Sequence, residues 1–313
     1  MKAAEQLEAN EALVARLKAR ICEVVRGKDD VVELAVTAVL AGGHLLLQDV
    51  PGVGKTTLAA GLAGAMGGTF SRIQFTADLL PADITGAHIL DPGTGEFSFR
   101  PGPLFANVVL ADEINRTTPR TQSALFEAME EGQVTADGET RDLPQPFLVV
   151  ATQNPFDHHG TYALPDSQLD RFLMRLAVGY PDRSSEREVL RSSGPRRRVT
   201  TAALTEAEVA QLLQSVETVR VAEPLEDYVL DLVRATRDDA RLARGVSTRG
   251  ALALYRAAKA HALVCGRDFV VPEDLQRLAV PVLAHRVLAR GSMGGAHAEQ
   301  VIVELLEELP APR

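Results

Sequence analysis

The chain contains no tryptophan, and aromatic residues fill only 4% of its 313 positions, so its core has to be built from aliphatic side chains. Cysteine is almost as scarce: Cys22 and Cys265 stand far apart, with no CxxC and no paired-histidine spacing. That excludes a disulfide framework or a contiguous zinc motif, and both thiols read as small core residues. No apolar run is long enough to span a bilayer, and residues 1–8 lack the apolar stretch of a signal peptide. The expected location is the cytosol, without membrane insertion. Basic residues are in deficit too, 33 Lys and Arg against 42 Asp and Glu, for a formal charge of −9. A broad attraction to nucleic acid does not follow from that balance. Tandem repeats and low-complexity segments are also missing.

What the chain does have is length and a 46% apolar fraction, more than one small core can use. Up to about residue 182, strand-like runs alternate with helical ones, as in an α/β domain with a parallel, helix-covered sheet. After residue 182 that alternation stops, and from Leu204 onward the signals are helical, with starts at Thr205, Pro224, Ser247 and Pro272. The expected fold is α/β, a three-layer domain over 1–182 followed by an all-helical domain over 183–313. Helices are expected over 5–25 and 31–41, the second closed by Gly42-Gly43. Hairpins are expected where Asp91-Pro92-Gly93-Thr94-Gly95 and Asp137-Gly138 separate short alternating runs. Adjacent His158-His159 read as loop residues, and Arg196-Arg197-Arg198 as part of a solvated linker.

The strongest functional signal is Asp49-Val50-Pro51-Gly52-Val53-Gly54-Lys55-Thr56-Thr57, set between a strand pattern and a helix pattern. Pro51, Gly52, Val53, Gly54, Lys55, Thr56 and Thr57 form a candidate phosphate cradle, in which backbone N–H groups and a helix N-terminus surround the phosphates of ATP. Lys55 reaches the β/γ-phosphates and Thr56 ligates Mg²⁺. Asp49 stands where the usual pattern has a glycine, and is expected only to turn the chain. A glycine turn that binds nothing is the competing reading; Gly-Lys-Thr-Thr at a strand-to-helix junction argues against it.

Val108-Val109-Leu110-Ala111-Asp112-Glu113 is an apolar strand ending in two carboxylates. Strand ends with solvated acids are common. Beside a P-loop, however, Asp112 becomes a Mg²⁺ ligand acting through water and Glu113 the group that polarises the attacking water. A further buried run, 147–153, ends in Asn154, which either orients the same water or caps the turn at Pro155. The segment 164–172 reads as a short helix delivering Asp170 and Arg171 to its end.

In the order P-loop, RPGPLFANVVLADEINR over 100–116, ATQNP over 151–155, GTYALPDSQLDRF over 160–172 and GVSTRG over 245–250, the chain resembles the AAA+ ATPases, and within them the MoxR family. The resemblance covers almost the whole chain. It implies Walker A at 51–57, Walker B at Asp112 and Glu113, and sensor 1 at Asn154. It also implies an arginine finger, Arg171, offered to a neighbouring subunit, and a sensor 2 arginine, Arg249, reaching the γ-phosphate from a helical lid. The Mg²⁺-ATP crevice would lie between the α/β domain and that lid. Hexameric rings and chaperone-like action follow from the same resemblance: maturation of client complexes or insertion of their cofactors, often beside proteins with von Willebrand factor A domains. On the residues alone, Arg249 and Arg171 would each be surface ion-pair residues, Arg171 with Asp170.

Two rival functions fit parts of the pattern. A ring-shaped nucleic-acid motor is disfavoured by the acidic balance and by the acidic hairpin tip Ala136-Asp137-Gly138-Glu139. A scaffold that binds ATP with little turnover is disfavoured by Glu113.

Overall fold

A computed structural model gives the architecture and describes residues 2–93, 95–154, 161–191, 201–291 and 295–312. His158, His159 and the arginines at 196–198 lie outside the described residues. The first part runs α1 (Lys2–Cys22), α2 (Asp29–Leu40), β1 (His44–Gln48), α3 (Lys55–Ala65), β2 (Phe70–Gln74), α4 (Pro81–Thr85), β3 (Gly86–Leu90), β4 (Phe97–Pro101) and β5 (Val108–Asp112). It continues through α5 (Pro119–Glu131), β6 (Gln133–Ala136), β7 (Glu139–Asp142), β8 (Leu148–Gln153), α6 (Asp166–Leu169), β9 (Phe172–Leu176) and α7 (Arg183–Arg191). The second part holds α8 (Glu206–Glu217), α9 (Glu223–Asp238), β10 (Leu242–Arg244), α10 (Thr248–Val264), α11 (Pro272–Leu283), β11 (Leu288–Ala289) and α12 (Gly295–Glu308).

Five strands form one parallel sheet in the order β2-β5-β8-β1-β9. Its central strands are buried without alternation, Leu45 to Leu47 in β1 and Val149 to Ala151 in β8, as a sheet covered on both faces requires. On one face Leu17, Val36, Leu58 and Leu62 pack in a core that continues into Leu254, Leu278 and Ile302 of the second part. On the other face Phe75, Phe126 and Phe172 supply the bulk, so the few core phenylalanines sit on a single side of the sheet among the described residues. The second part is attached along α2: Arg256 Nη2 donates to the Ala41 carbonyl at 2.9 Å, and His261 faces Glu33.

Both expected hairpins are present, β3 with β4 and β6 with β7. The second turns through Asp137 at φ 52° and Gly138 at φ 83°, the pair of left-handed residues that a two-residue hairpin loop demands. Three expectations need correction. The helix expected over 164–172 is only α6, because Phe172, Leu173, Met174 and Leu176 bury themselves beside β1 as the edge strand β9. Strand β5 is not beside β1; β8 lies between them. Neither thiol is a core residue, since Cys22 is half-buried at the end of α1 and Cys265 is exposed after α10. Among the described residues, no helix is long and apolar enough to cross a membrane.

Candidate active site

The loop after β1 is shaped by its backbone. Gly52 and Gly54 have φ of 88° and 102°, a region costly for any residue with a Cβ, and a Cβ at either would meet nothing within 4 Å. The glycines are therefore required by the turn rather than by crowding. Gly54 caps α3, whose first turn has no side-chain cap and no acidic residue, so its N–H groups point outward as anion donors. Lys55 Nζ donates to the Asp49 carbonyl at 2.9 Å. Burial lowers the pKa of Lys55, opposed by the nearby charges of Asp112, Asp49 and Glu113, which puts the two strand-end carboxylates around the lysine. This donor set fits a triphosphate with its metal: an uncapped helix end, a flexible cation, the Thr56 and Thr57 hydroxyls, and facing acids.

Asp49 does more than turn the chain. Its Oδ1 accepts from the Val50 N–H at 2.8 Å and its Oδ2 from the Gly179 N–H at 2.6 Å, fastening the loop to the segment that follows β9. The carboxylate takes up the role of a pin, which a glycine at this position could not fill.

At the end of β5, Asp112 and Glu113 point into a polar network that the sequence pattern did not single out. Thr152 on the intervening β8 donates to Asp112 Oδ1 at 2.6 Å and accepts from the Glu113 N–H at 2.9 Å. Arg72 on β2 pairs with Asp112 Oδ2 at 2.6 Å, so Asp112 would hold a metal through water or after Arg72 gives way. Gln74 donates to Glu113 Oε2 at 2.9 Å, and Arg116 Nε lies 3.1 Å from the same oxygen. Glu113 itself has φ 58°, an uncommon left-handed conformation that aims its side chain away from the strand direction. Asn154 follows β8 directly, and the Asp49 N–H donates to the adjoining Gln153 carbonyl, so the end of β8 and the P-loop meet at the same sheet end. Strand pairing between β2 and β5 is the only signal that could have found Arg72 and Gln74, and it is not local.

Arg171 and Arg249 are elsewhere. Arg171 Nη2 is 3.0 Å from Glu130 Oε2, and Arg249 Nη2 is 2.5 Å from Glu130 Oε1, so one carboxylate on α5 holds both guanidinium groups. Next to Glu130, the Met129 carbonyl lies 2.9 Å from Nε2 of His44, the first residue of β1. Burial lowers the pKa of that histidine to about 4, and the neutral ring also accepts from the Val149 N–H at 3.1 Å. Phe172, after Arg171, pairs with the same His44. The arginine pair thus sits by the start of β1 and Lys55 past its end, so the length of the strand, about 13 Å at about 3.3 Å per residue, lies between them. The structure brings Arg249 to Arg171 and not to the P-loop of its own chain.

Asp170 is not the counter-ion of Arg171 either. It accepts from buried Arg286 at 2.8 Å and from the Ser247 hydroxyl at 3.2 Å, which locks the start of α10 to the start of β9. Arg286 also donates to the carbonyls of Asp170, Phe172 and Leu173, and burial lowers its pKa to about 10 against the pull of Asp170.

A profile of the ATPase family associated with various cellular activities (AAA) matches residues 44–174, and one of the AAA lid domain matches 234–305. The chain is 45% identical to the uncharacterized protein YeaC of Bacillus subtilis, over 96% of this chain and 95% of that one. It is 39% identical to the chaperone MoxR1 of Mycobacterium tuberculosis, over 99% and 85% respectively. A crystal structure from Cytophaga hutchinsonii, of a protein assigned as an ATPase, superposes with a TM-score of 0.90 at 37% identity, covering 100% of this chain and 98% of that one.

Proposed function

The chain belongs to the MoxR family of AAA ATPases, and on that footing we propose that it is a Mg²⁺-dependent ATP hydrolase whose site is shared between neighbouring subunits of a ring. A nucleotide-binding domain over 1–182 carries the P-loop, and a lid over 183–313 carries Arg249. Lys55 and the backbone of 51–57 hold the phosphates, while Thr56 and Asp112 hold Mg²⁺, which when bound offsets charge on the phosphate oxygens. Glu113 and Asn154 orient the attacking water.

The observation that carries this reading is the joint position of Arg171 and Arg249. Both are presented by Glu130 at the sheet end remote from their own Lys55. A cation there cannot serve its own phosphates, but it can complete a neighbour's site, where developing charge on the phosphoryl group is stabilised by donors already in place. Arg249 therefore acts beside Arg171, instead of reaching across from the lid to its own P-loop.

The output is chaperone-like remodelling of a client protein in the cytosol. A hexameric ring is the assembly proposed, and a protein with a von Willebrand factor A domain the class of partner. The name of the M. tuberculosis relative supports the chaperone part. Nucleic acid is expected neither to bind tightly at physiological salt nor to stimulate turnover; strong stimulation by DNA would favour a motor instead.

The site is tested by two variants. Lys55→Ala should lose ATP binding, whereas Glu113→Gln should keep it and lose hydrolysis, because only the first removes a ground-state phosphate contact. Hydrolysis by Glu113→Gln at the wild-type rate would remove Glu113 from the mechanism.

A further inference from the structure

Away from the nucleotide site, three side chains of different chemistry converge where α2 meets α10. Glu33 on α2, His261 on α10 and Cys265 one turn later offer an oxygen, a nitrogen and a sulfur, all within 4.8 Å of one another. We propose that they form a binding site for a borderline-soft divalent ion of the zinc class, which would tie the nucleotide-binding domain to the lid.

The spacing is that of a slightly expanded ligand set. His261 Nε2 is 3.6 Å from Glu33 Oε1 and 3.8 Å from Cys265 Sγ. Around a tetrahedral zinc, with nitrogen and oxygen at about 2.0 to 2.1 Å and sulfur at about 2.3 Å, such atoms stand roughly 3.3 to 3.6 Å apart. The sulfur is also 3.9 Å from Nδ1, nearly equidistant from the two ring nitrogens, so binding would have this exposed side chain turn toward Nε2. A mixed nitrogen, oxygen and thiolate set suits zinc and disfavours magnesium or calcium.

The surroundings already orient these ligands. His261 Nδ1 lies 2.6 Å from Asp274 Oδ1, the carboxylate–imidazole arrangement that turns the other nitrogen outward for a metal. Asp274 is in turn held by Arg267 and by the Val271 N–H. Lys18 takes Glu33 Oε2 at 2.7 Å, which leaves Oε1 to face the ion. The competitor is Arg277, 3.2 Å from Oε1; it already bonds exposed Asp30 and can withdraw to it.

Without an ion, the proton on Nε2 is the cation of this cluster. Burial works against it, but Asp274 and Cys265 outweigh burial and raise the pKa of His261 to about 9. A divalent ion replaces that proton, Cys265 binds as thiolate, and the ring stays neutral with its remaining N–H on Asp274. The other charged groups facing the ring are Glu33, Lys18, Arg267 and Arg277.

The test is titration of the full chain with Co²⁺ and then Zn²⁺, following thiolate-to-cobalt charge-transfer absorption and the melting temperature. One equivalent of Co²⁺ should give the charge-transfer band, and Zn²⁺ should displace it and raise the melting temperature. Cys265→Ser, at an exposed position that keeps the fold by circular dichroism, should lose the band, and it and Glu33→Gln should each bind roughly tenfold or more weakly. Absence of one-to-one binding in the wild-type chain, or binding undiminished in Cys265→Ser, overturns the proposal; the second result places the ion elsewhere.

Discussion

Asp49 pins the P-loop through two backbone N–H groups, those of Val50 and Gly179. Asp49→Ala leaves the half-buried Gly179 donor without its acceptor, which should cost about 1 kcal/mol and lower the melting temperature. Affinity for a non-hydrolysable ATP analogue should change by less than about tenfold, roughly 1.4 kcal/mol, since no phosphate contact is lost. A larger loss in calorimetric titration would mean that the carboxylate itself meets the nucleotide. His261 carries a pH signature. Its folded pKa, about 9, lies above the value near 6.5 of an unfolded histidine, so its contribution is full below about pH 6.5 and is lost as pH rises through about 9. The melting temperature of metal-free protein should fall across that window, and His261→Gln should flatten the fall; an unchanged slope would mean the ring is not charged in the folded state.

Among the elements, the two hairpins are coupled to each other. His88 Nδ1 on β3 is 2.7 Å from Asp137 Oδ2 at the other tip, and the Arg141 guanidinium lies 3.8 Å from the ring centroid of Phe99 on β4. In the His88→Ala/Arg141→Ala double variant, amide hydrogen exchange should quicken in β3 and β4 but not in the P-loop. Equal protection in both proteins would show that the hairpins move independently. The hairpins could be read from sequence because Asp137-Gly138 and Asp91-Pro92-Gly93 encode their turns locally. Strand β9 could not, because Phe172, its first residue, reads as the end of the short helix over 164–172 until β1 is beside it. Nor could the anchor of the arginine pair, since Arg286 meets Asp170 across 116 positions with no local signal. Arg286→Ala should destabilise the protein by about 3 kcal/mol, because it takes the ion-pair partner from part-buried Asp170 and a donor from the carbonyls of Asp170, Phe172, Leu173 and Val282, as denaturant melts would report.

At the scale of the whole molecule, the P-loop and the two arginines were legible as motifs and the family resemblance already offered Arg171 to a neighbour, but the placement of Arg249 beside Arg171 on Glu130 was not legible. The P-loop, Asp112, Glu113 and Asn154 belong to the ends of three neighbouring strands, and Arg171 and Arg249 to the opposite end of the sheet. Periodicity places residues on elements but says nothing of which sheet end faces which neighbour. The measurement that tests the shared site most directly is a mixture of two inactive variants under assembling conditions. Arg171→Ala should bind ATP and hydrolyse it about 10³ to 10⁵ times more slowly, and Lys55→Ala should fail to bind while still carrying Arg171. Mixed, they should recover part of the ATPase, because some interfaces then join an intact P-loop to an intact arginine. If mixed oligomers form and the activity stays absent, or if Arg171→Ala hydrolyses ATP like wild type as a monomer, the site is not shared and Arg171 serves only its ion pair with Glu130.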